Sequence, residues 1–293
     1  MPMTHLHPEY ILTLSCVDQR GIVHRVSGFL ADHGCNIIDS AQFGDGQSKL
    51  FFMRVHFSAE DGAISDATLR DDFATLGASM QMQWQLHDAA HKPRVLLMVS
   101  KIGHCLNDLL FRHRSGLLPV EIMGVVSNHT DFYQLAASYN IPFHHLPLAP
   151  GASVDAKRAQ EQRIMELVDS QKIELVVLAR YMQILSQELC TALEGRAINI
   201  HHSFLPSFKG AKPYYQAHER GVKLIGATAH FVTGTLDEGP IIEQDVERVD
   251  HAMGPDTLTS IGRDVECVVL ARAVKWFVEH RIVLNGHKTV VFK

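Results

Sequence analysis

A cluster of polar side chains follows a short apolar stretch at INIHHSFLP (198–206), and an acidic turn follows later at GTLDEGPII (234–242). The first stretch contains Asn199 and His201, and the second contains Asp237. An amide can donate a hydrogen bond to a carbonyl oxygen, and an imidazolium can stabilise a developing oxyanion. A carboxylate can hold that imidazolium charged and accept a proton from a nucleophile. These residue types favour attack on a carbonyl or formyl carbon without a covalent enzyme intermediate.

Two other interpretations of the doubled histidine, His201 and His202, stay open. The first is a metal site, which the pattern disfavours because adjacent side chains point in different directions. No HExxH motif, Cys/His pair or carboxylate triad accompanies them in the sequence. The second is a structural histidine that is hydrogen-bonded at a strand end. We predict that the site holds no metal.

The elements that must position this cluster have the pattern of a doubly wound, mostly parallel α/β sheet. Near-continuous apolar runs, typical of strands buried on both faces of a parallel sheet, recur after residue 93. The runs are RVLLMVS (94–100), VEIMGVVS (120–127), IELVVLA (173–179) and INI (198–200). Helical segments are predicted between and after them, near 104–113, 131–139, 155–170 and 255–280. Ligands bind beyond the carboxyl ends of the strands in such sheets, where Asn199 and His201 lie.

The first part of the chain has a different hydropathy pattern, because its apolar residues alternate with polar ones. Strands are predicted at 10–16, 36–43, 50–57 and 80–87, and helices near 22–30 and 65–76. The order βαββαβ predicts a small α+β domain at 1–88. AAHKP (89–93) reads as a linker, and residues 94–293 then form the α/β domain.

Composition excludes several classes of function. The 293 residues suit two domains. A formal charge of −5 and the absence of a basic tract argue against a nucleic-acid partner. The five scattered cysteines indicate reduced thiols in a cytosolic protein. Because no run of 18 apolar residues and no signal-peptide pattern is present, we expect a cytoplasmic protein with no membrane partner.

Three sequence blocks carry a resemblance to a known family. N-x-H-x-S-x-L-P, G-A-T-x-H-x-V and D-x-G-P-I-I occur in that order, and together they resemble the folate-dependent formyltransferase family over residues 94–293. VDQRGIV and HGCNI in the first domain resemble an ACT domain. This arrangement, and the histidine at His202 where many transferases have proline, is similar to the branch that hydrolyses 10-formyltetrahydrofolate. The resemblance implies release of formate and tetrahydrofolate without a cofactor.

The resemblance also implies roles for individual residues. Asn199, His201 and Asp237 match the family's catalytic asparagine, histidine and acid. His202 is expected to give local support or to position water. For His230, a hydrogen-bonding role and direct participation in the chemistry are equally weighted.

The folate pocket of the family is built partly by a stretch that resembles LARYMQILS (178–186), and the loop GTLDEG is expected to close its other side. An alternative is that the first stretch serves only as a strand end and a buried helix start. The residues that the resemblance implies for the pocket are Arg180, Met182, Gln183, Ile184, Leu185, His202, His230, Gly234 and Thr235.

The stretch VSKIGHCLNDLL (99–110) separates two enzymatic functions. Transferases that act on a phosphorylated amine have a glycine-rich phosphate loop after the first strand. Only Gly103 remains of those glycines here, and His104 and Cys105 follow it, so we favour water as the formyl acceptor. Formyl transfer to an amine and a catalytically silent folate- or amino-acid-binding protein stay open as alternatives.

The resemblance of the first domain to ACT domains implies a small effector, with glycine and methionine as the candidates. It also implies a homo-oligomer that assembles through this domain, and assembly alone is the competing interpretation. The expected effector site combines the turn after the first strand with a segment beyond the helix. Its residues are Asp18, Gly21, Ile22, Gly34, Asn36 and Ile37.

Overall fold

The chain forms two compact units. The computed structural model describes residues 7–59, 65–149, 151–205 and 213–293. The first unit combines Met1–His91 with Glu279–Lys293, and the second is Lys92–Val278. The first boundary falls inside the predicted linker at 89–93. The structure differs from the prediction of a second domain that extends to residue 293, because the final segment groups with the first unit.

The first unit contains a four-stranded antiparallel sheet and two helices, in the predicted βαββαβ order. Its elements are β1 (Glu9–Val17), α1 (Ile22–Asp32), β2 (Cys35–Asp45), β3 (Leu50–Ala59), α2 (Asp66–Ser79) and β4 (Gln83–Asp88). The strand order is β2-β3-β1-β4. β3 and β4 both pair with β1 in antiparallel register, and β2 pairs with β3 as an edge strand.

Apolar side chains on one face of this sheet form a core with the two helices. Leu12 and Leu14 are two residues apart on β1, so both point to the same face, and both are buried. Val26 and Leu30 are four residues apart on α1 and are buried against that face. The helix predicted near 22–30 is therefore present, and its buried residues lie on one face.

The second unit is the predicted doubly wound domain. Its elements are β5 (Arg94–Val99), α3 (His104–Arg114), β6 (Glu121–Ser127), α4 (Tyr133–Ser138), β7 (Phe143–His145), α5 (Val154–Ser170), β8 (Leu175–Leu178), α6 (Gln187–Ala192), β9 (Ala197–His201), α7 (Pro213–Glu219), β10 (Leu224–Phe231), β11 (Ile241–Arg248) and α8 (Pro255–Val278). The short strand β7 was not predicted, because three mixed residues carry no periodic signal.

The strands of the second unit lie in the order β11-β10-β9-β8-β5-β6-β7. The five strands from β9 to β7 are parallel, and β10 and β11 add antiparallel strands next to β9. All four residues of β8 are buried, as expected for a central strand covered on both faces. The carboxyl ends of β8 and β9 lie side by side, and this edge of the sheet carries the polar cluster. The sequence also indicates a loop at Lys209 and Gly210, and this loop lies outside the described residues.

The chain continues past α8 into a hairpin that belongs to the first unit. Its strands are β12 (Ile282–Asn285) and β13 (Lys288–Val291). The buried Arg54 on β3 donates hydrogen bonds to the carbonyl oxygen of Glu279 at 3.3 Å from Nε and 3.0 Å from Nη2. Asn285 donates to the carboxylate of Asp45 at 2.8 Å. These partners are 225 and 240 residues apart in the sequence, so no local pattern could reveal the grouping.

No helix in the described part of the chain combines the length and the apolar character that crossing a bilayer requires.

Candidate active site

Asn199 and His230 face each other on neighbouring antiparallel strands. The Nδ1–H of His230 donates to the carbonyl oxygen of Phe231 at 2.8 Å, so Nε2 of the neutral ring is an acceptor. That nitrogen lies 3.3 Å from Nδ2 of Asn199 and takes one of its two N–H groups. Burial lowers the pKa of His230, which keeps the ring in this neutral form. His230 therefore accepts a hydrogen bond from the Asn199 amide in this geometry.

His201 and Asp237 form a second pair at the end of β9. Nδ1 of His201 lies 3.3 Å from Oδ1 of Asp237, and the two side chains are 6% and 13% exposed. Nε2 of His201 is buried and has no hydrogen-bond partner in the described part of the chain. The interaction with His201 lowers the pKa of Asp237, although burial opposes it. Asp237 is therefore an ionised carboxylate that holds the ring, and the far nitrogen of the ring is left for a ligand.

The loop between β10 and β11 holds Asp237 in place. Asp237 has a φ of 57°, a left-handed conformation that aspartate tolerates better than most residues. Gly239 packs directly against the end of β10, and a Cβ there would collide with the carbonyl oxygen of Phe231. The N–H of Phe231 also donates to the carbonyl oxygen of Pro240 at 2.9 Å. This bond joins the end of β10 to the residue that precedes β11. The close approach at Gly239 fixes where the carboxylate can lie.

These groups open onto a cavity of about 540 Å³ in the second unit. A cavity of this size matches the pockets that hold small organic ligands. Met182 and Ile184 are 56% and 62% exposed, which contradicts a purely structural reading of Ile184 as a core residue. The predicted catalytic and pocket residues that line the cavity are Arg180, Met182, Gln183, Ile184, Leu185, Asn199, His201, His202, His230, Gly234, Thr235 and Asp237.

His202 lies in the wall of the same cavity, and its ring centroid is 5.1 Å from that of His201. Burial, followed by the positive charge of Arg180, lowers the pKa of His202 to about 4. His202 is therefore a neutral ring at physiological pH, unlike a group that stabilises an oxyanion by its charge. The two adjacent histidines have different environments.

The cavity wall contains a buried ionic cluster that the sequence did not predict. Glu266 on α8 is 1% exposed, and its carboxylate accepts hydrogen bonds from His104 Nε2 at 2.8 Å and from the Tyr214 hydroxyl at 2.6 Å. Nε of Arg180 lies 3.5 Å from the same carboxylate. Burial alone would raise the pKa of Glu266, but His104 and Arg180 lower it below its ordinary value. The sequence held one sign of this cluster, because Glu266 is a carboxylate on the buried face of α8. The apolar or small residues on that face are Leu258, Gly262, Val269 and Ala273.

His104, Cys105 and Cys267 could together hold a metal ion, because their ligand atoms lie within 4.8 Å of one another. The hydrogen bond with Cys267, followed by burial, raises the pKa of the Cys105 thiol, which disfavours the thiolate that binds metal. No residue of this group belongs to the Asn199, His201 and Asp237 set. That the reaction uses neither a metal nor a cofactor stays a prediction.

The expected effector residues are divided between the two ends of α1 in a single chain. Gly21 precedes the helix with a φ of 88°, and Gly34 follows it with a φ of 67°. The eleven residues of α1 separate them by roughly 16 Å at 1.5 Å per residue. Asp18 and Ile22 lie at the first end, whereas Asn36 and Ile37 lie at the second. One chain does not bring the two halves of this predicted site together.

Comparison with known proteins identifies the family. The formyl transferase family model matches residues 93–274, and the ACT domain model matches residues 10–69. A formyltetrahydrofolate deformylase from Corynebacterium sp. (strain P-1) is 51% identical over 285 residues, which cover 97% of this chain and 98% of the relative. The chain belongs to the formyltetrahydrofolate deformylase family. This result confirms the predicted family and enzyme class.

Solved structures agree with this membership of the deformylase family. The crystal structure of formyltetrahydrofolate deformylase from Burkholderia mallei has a TM-score of 0.92 and 53% identity, covering 98% of this chain and all of that one. The glycinamide ribonucleotide transformylase 1 of Symbiobacterium toebii has a TM-score of 0.63 and 31% identity. It covers 69% of this chain and 95% of that one. The predicted fold, an ACT domain followed by a formyltransferase-like domain, is confirmed.

Proposed function

We propose that the chain hydrolyses 10-formyltetrahydrofolate to formate and tetrahydrofolate. The observation that carries the proposal is that Asn199, His201 and Asp237 together line a cavity of about 540 Å³, with His201 and Asp237 paired at 3.3 Å. These groups suit a reaction in which a carbonyl oxygen gains negative charge while a nucleophile loses a proton. Membership of the deformylase family supports the same substrate.

In the proposed mechanism, the folate occupies the cavity and its formyl group lies beside Asn199 and His201. Oδ1 of Asp237 faces His201, so Oδ2 is left to take a proton from water. The water oxygen bonds to the formyl carbon, and the carbonyl oxygen becomes an oxyanion. The second N–H of Asn199 and the Nε2–H of His201 stabilise this charge. When the intermediate collapses, the C–N10 bond breaks and the proton held by Asp237 passes to N10, which releases tetrahydrofolate. The other product is formic acid, which loses its remaining water-derived proton to solvent and leaves as formate.

The surroundings of α3 favour hydrolysis over transfer to a phosphorylated amine. The ring of Phe132 packs against Gly103 so closely that a Cβ on Gly103 would collide with it. His104, the first residue of the helix, is hydrogen-bonded to the buried carboxylate of Glu266. An apolar ring and an anion at this helix terminus are poor surroundings for a phosphate, which needs free N–H groups and positive charge.

A direct test measures formate and tetrahydrofolate after the purified chain is mixed with 10-formyltetrahydrofolate and no amine. Stoichiometric production of both, at a rate far above that of the chain-free mixture, is expected. Formyl transfer that requires an added amine would instead indicate the transferase alternative. Folate binding without turnover would indicate the catalytically silent one.

The first unit is proposed to bind an amino-acid effector, glycine or methionine, between two copies of the chain. The two halves of its predicted site lie at opposite ends of α1, so a second copy is needed to complete it. β2 is an edge strand that exposes Ile37, Ile38 and Phe43, at 36%, 49% and 46%, which is a surface suited to assembly.

Calorimetric titration with glycine and methionine, together with light scattering and rate measurements on the full chain, tests this proposal. Heat of binding and a changed rate in an oligomer are expected, with a coupling of about 1–3 kcal/mol between effector and substrate. An oligomer that binds neither amino acid would reduce the unit to an assembly domain. The cytoplasmic location and the absence of a nucleic-acid partner stay predictions.

A further inference from the structure

Arg180 has two unfavourable features that its surroundings preserve. It follows β8 with a φ of 66°, a left-handed conformation that glycine adopts without strain. Its side chain is 8% exposed, and its Nε and Nη1 groups have no hydrogen-bond partner among the residues described. Strained backbone and unpaired buried donors that persist together at a cavity wall indicate a function.

The backbone of Arg180 is held by a buried serine. The N–H of Ser100 donates to the carbonyl oxygen of Arg180 at 3.1 Å, and the Ser100 hydroxyl accepts from the N–H of Met182 at 2.9 Å. The same hydroxyl donates to the side chain of Asn128 at 2.7 Å. These bonds fix the backbone that follows Arg180, and the N–H of Ala179 donates to the carbonyl oxygen of Met98 at 2.8 Å on the side that precedes it.

The charge of Arg180 is balanced by Glu266, whose carboxylate lies 3.5 Å from Nε of the guanidinium. Glu266 is also held by His104 and Tyr214, so it has little remaining capacity to serve a ligand. The positive field of the guanidinium reaches the cavity, because it contributes to the lowered pKa of His202. Arg180 and His202 line the same cavity, and Arg180 lowers the pKa of His202 more than Glu266 raises it, so this part of the wall carries net positive charge.

We propose that Arg180 selects water over an amine as the formyl acceptor, an inference that rests on the proposed hydrolysis. Water has two lone pairs, so it can accept a hydrogen bond from Arg180 with one and attack the formyl carbon with the other. A neutral primary amine has a single lone pair, and a bond from Arg180 would remove its nucleophilicity. A protonated amine is repelled by the guanidinium in this partly desolvated wall.

The competing reaction is formyl transfer. The amine nitrogen would bond to the formyl carbon, the C–N10 bond would break, and an amine proton would pass to N10, giving a formamide and tetrahydrofolate. The ratio of formamide to formate therefore measures the selection of the acceptor directly. A residue that only supports the fold would change the total rate and leave this ratio unaltered.

The test uses Arg180→Gly, which suits the left-handed backbone, and Arg180→Gly combined with Glu266→Gln, which avoids an unpaired buried carboxylate. Each is assayed with 10-formyltetrahydrofolate and hydroxylamine, an amine that is neutral at pH 7. Lys172→Gly is the matched control, because Lys172 also has a positive φ, of 52°, but lies outside the cavity lining. Circular dichroism confirms that each variant is folded.

The formamide-to-formate ratio is expected to rise about tenfold or more in the Arg180 variants, which corresponds to about 1.4 kcal/mol in relative barrier height. The ratio is expected to stay at the wild-type value in Lys172→Gly. If wild type hydrolyses the folate and both folded Arg180 variants keep the wild-type ratio, the proposed role of Arg180 is refuted and the proposed hydrolysis stands. If wild type formylates hydroxylamine and releases no formate, both the proposed function and this inference fail.

Discussion

Replacing Asp237 with asparagine removes one charge and leaves the shape of the site nearly unchanged. Asparagine has almost the same volume as aspartate and tolerates the left-handed φ of 57° at this position. Its amide oxygen can still accept from His201 Nδ1, which lies 3.3 Å from the native carboxylate. We expect the variant to fold and to keep its cavity, so the effect on folate binding should be small.

Two contributions to the rate are lost in Asp237→Asn. The first is the general base that takes a proton from water, which is worth about 10²–10⁴ in rate. The second is the negative charge that pairs with His201, and loss of an oxyanion donor costs about 10²–10³. Because the histidine itself remains, only part of the second contribution disappears. We therefore expect kcat to fall about 10³–10⁴-fold, with KM changed less than about threefold.

The assay follows formate release from 10-formyltetrahydrofolate over a range of substrate concentrations, which separates kcat from KM. Glu238→Gln is the matched control, since it removes the adjacent, exposed carboxylate and should retain nearly the full rate. A kcat for Asp237→Asn within about tenfold of wild type would refute the assignment of the base. An equal loss in Glu238→Gln would show that loop charge, and not the position of Asp237, matters.

The same substitution has a consequence for pH dependence. His201 lowers the pKa of Asp237 in the folded chain below the ordinary value of 3.8. A group whose folded pKa is depressed contributes stability above its unfolded pKa, and that contribution is lost as the pH falls through the folded pKa. The part of the acid limb of kcat/KM that Asp237 causes should therefore lie below pH 3.8. Asp237→Asn should lower Tm at pH 7 but lose less additional stability than wild type on acidification.

Three further outcomes are expected. His201→Ala should lower kcat by at least about 10²-fold, whereas His202→Ala should keep measurable turnover, because a neutral ring supplies no charge to the oxyanion; equal losses in both would contradict the distinction. Gly239→Ala should destabilise the second unit by about 1–3 kcal/mol in thermal unfolding and displace the catalytic loop, while Gly254→Ala, which has open space for a Cβ, serves as the control. Chelators should leave formate release unchanged, and activity that was lost to a chelator and restored by zinc would establish a metal-dependent reaction.

Site residues could be predicted from the sequence only where a polar residue follows a run that predicts a buried strand. The apolar run before Asn199 predicts a buried strand, and the rule for parallel sheets then places His201 at its carboxyl end. Asp237 could be chosen over Glu238 only through family resemblance, because both belong to the same acidic turn. The left-handed φ of Asp237 and the close approach of Gly239 become visible only in the folded loop.

Glu266 shows why the rest of the site could not be predicted. Its three partners, His104, Tyr214 and Arg180, come from α3, α7 and the turn after β8, and no spacing in the sequence relates them. The predicted effector site shows the reverse relation between sequence and space. Its residues are close in sequence but lie at the two ends of a rigid helix, so sequence proximity overstates their spatial proximity.

The path of the chain has a consequence for the order of folding during synthesis. The chain leaves the first unit after His91 and returns to it at Glu279, so the whole second unit is synthesised between two parts of the first. At about 5–20 residues per second, residues 92–278 take roughly 10–40 s to emerge from the ribosome. Throughout that interval the guanidinium of Arg54 lacks the Glu279 carbonyl that it binds in the finished structure. A premature stop just after Val278 would leave the second unit complete and the first one unfinished, although the mutation maps far from the strands it harms.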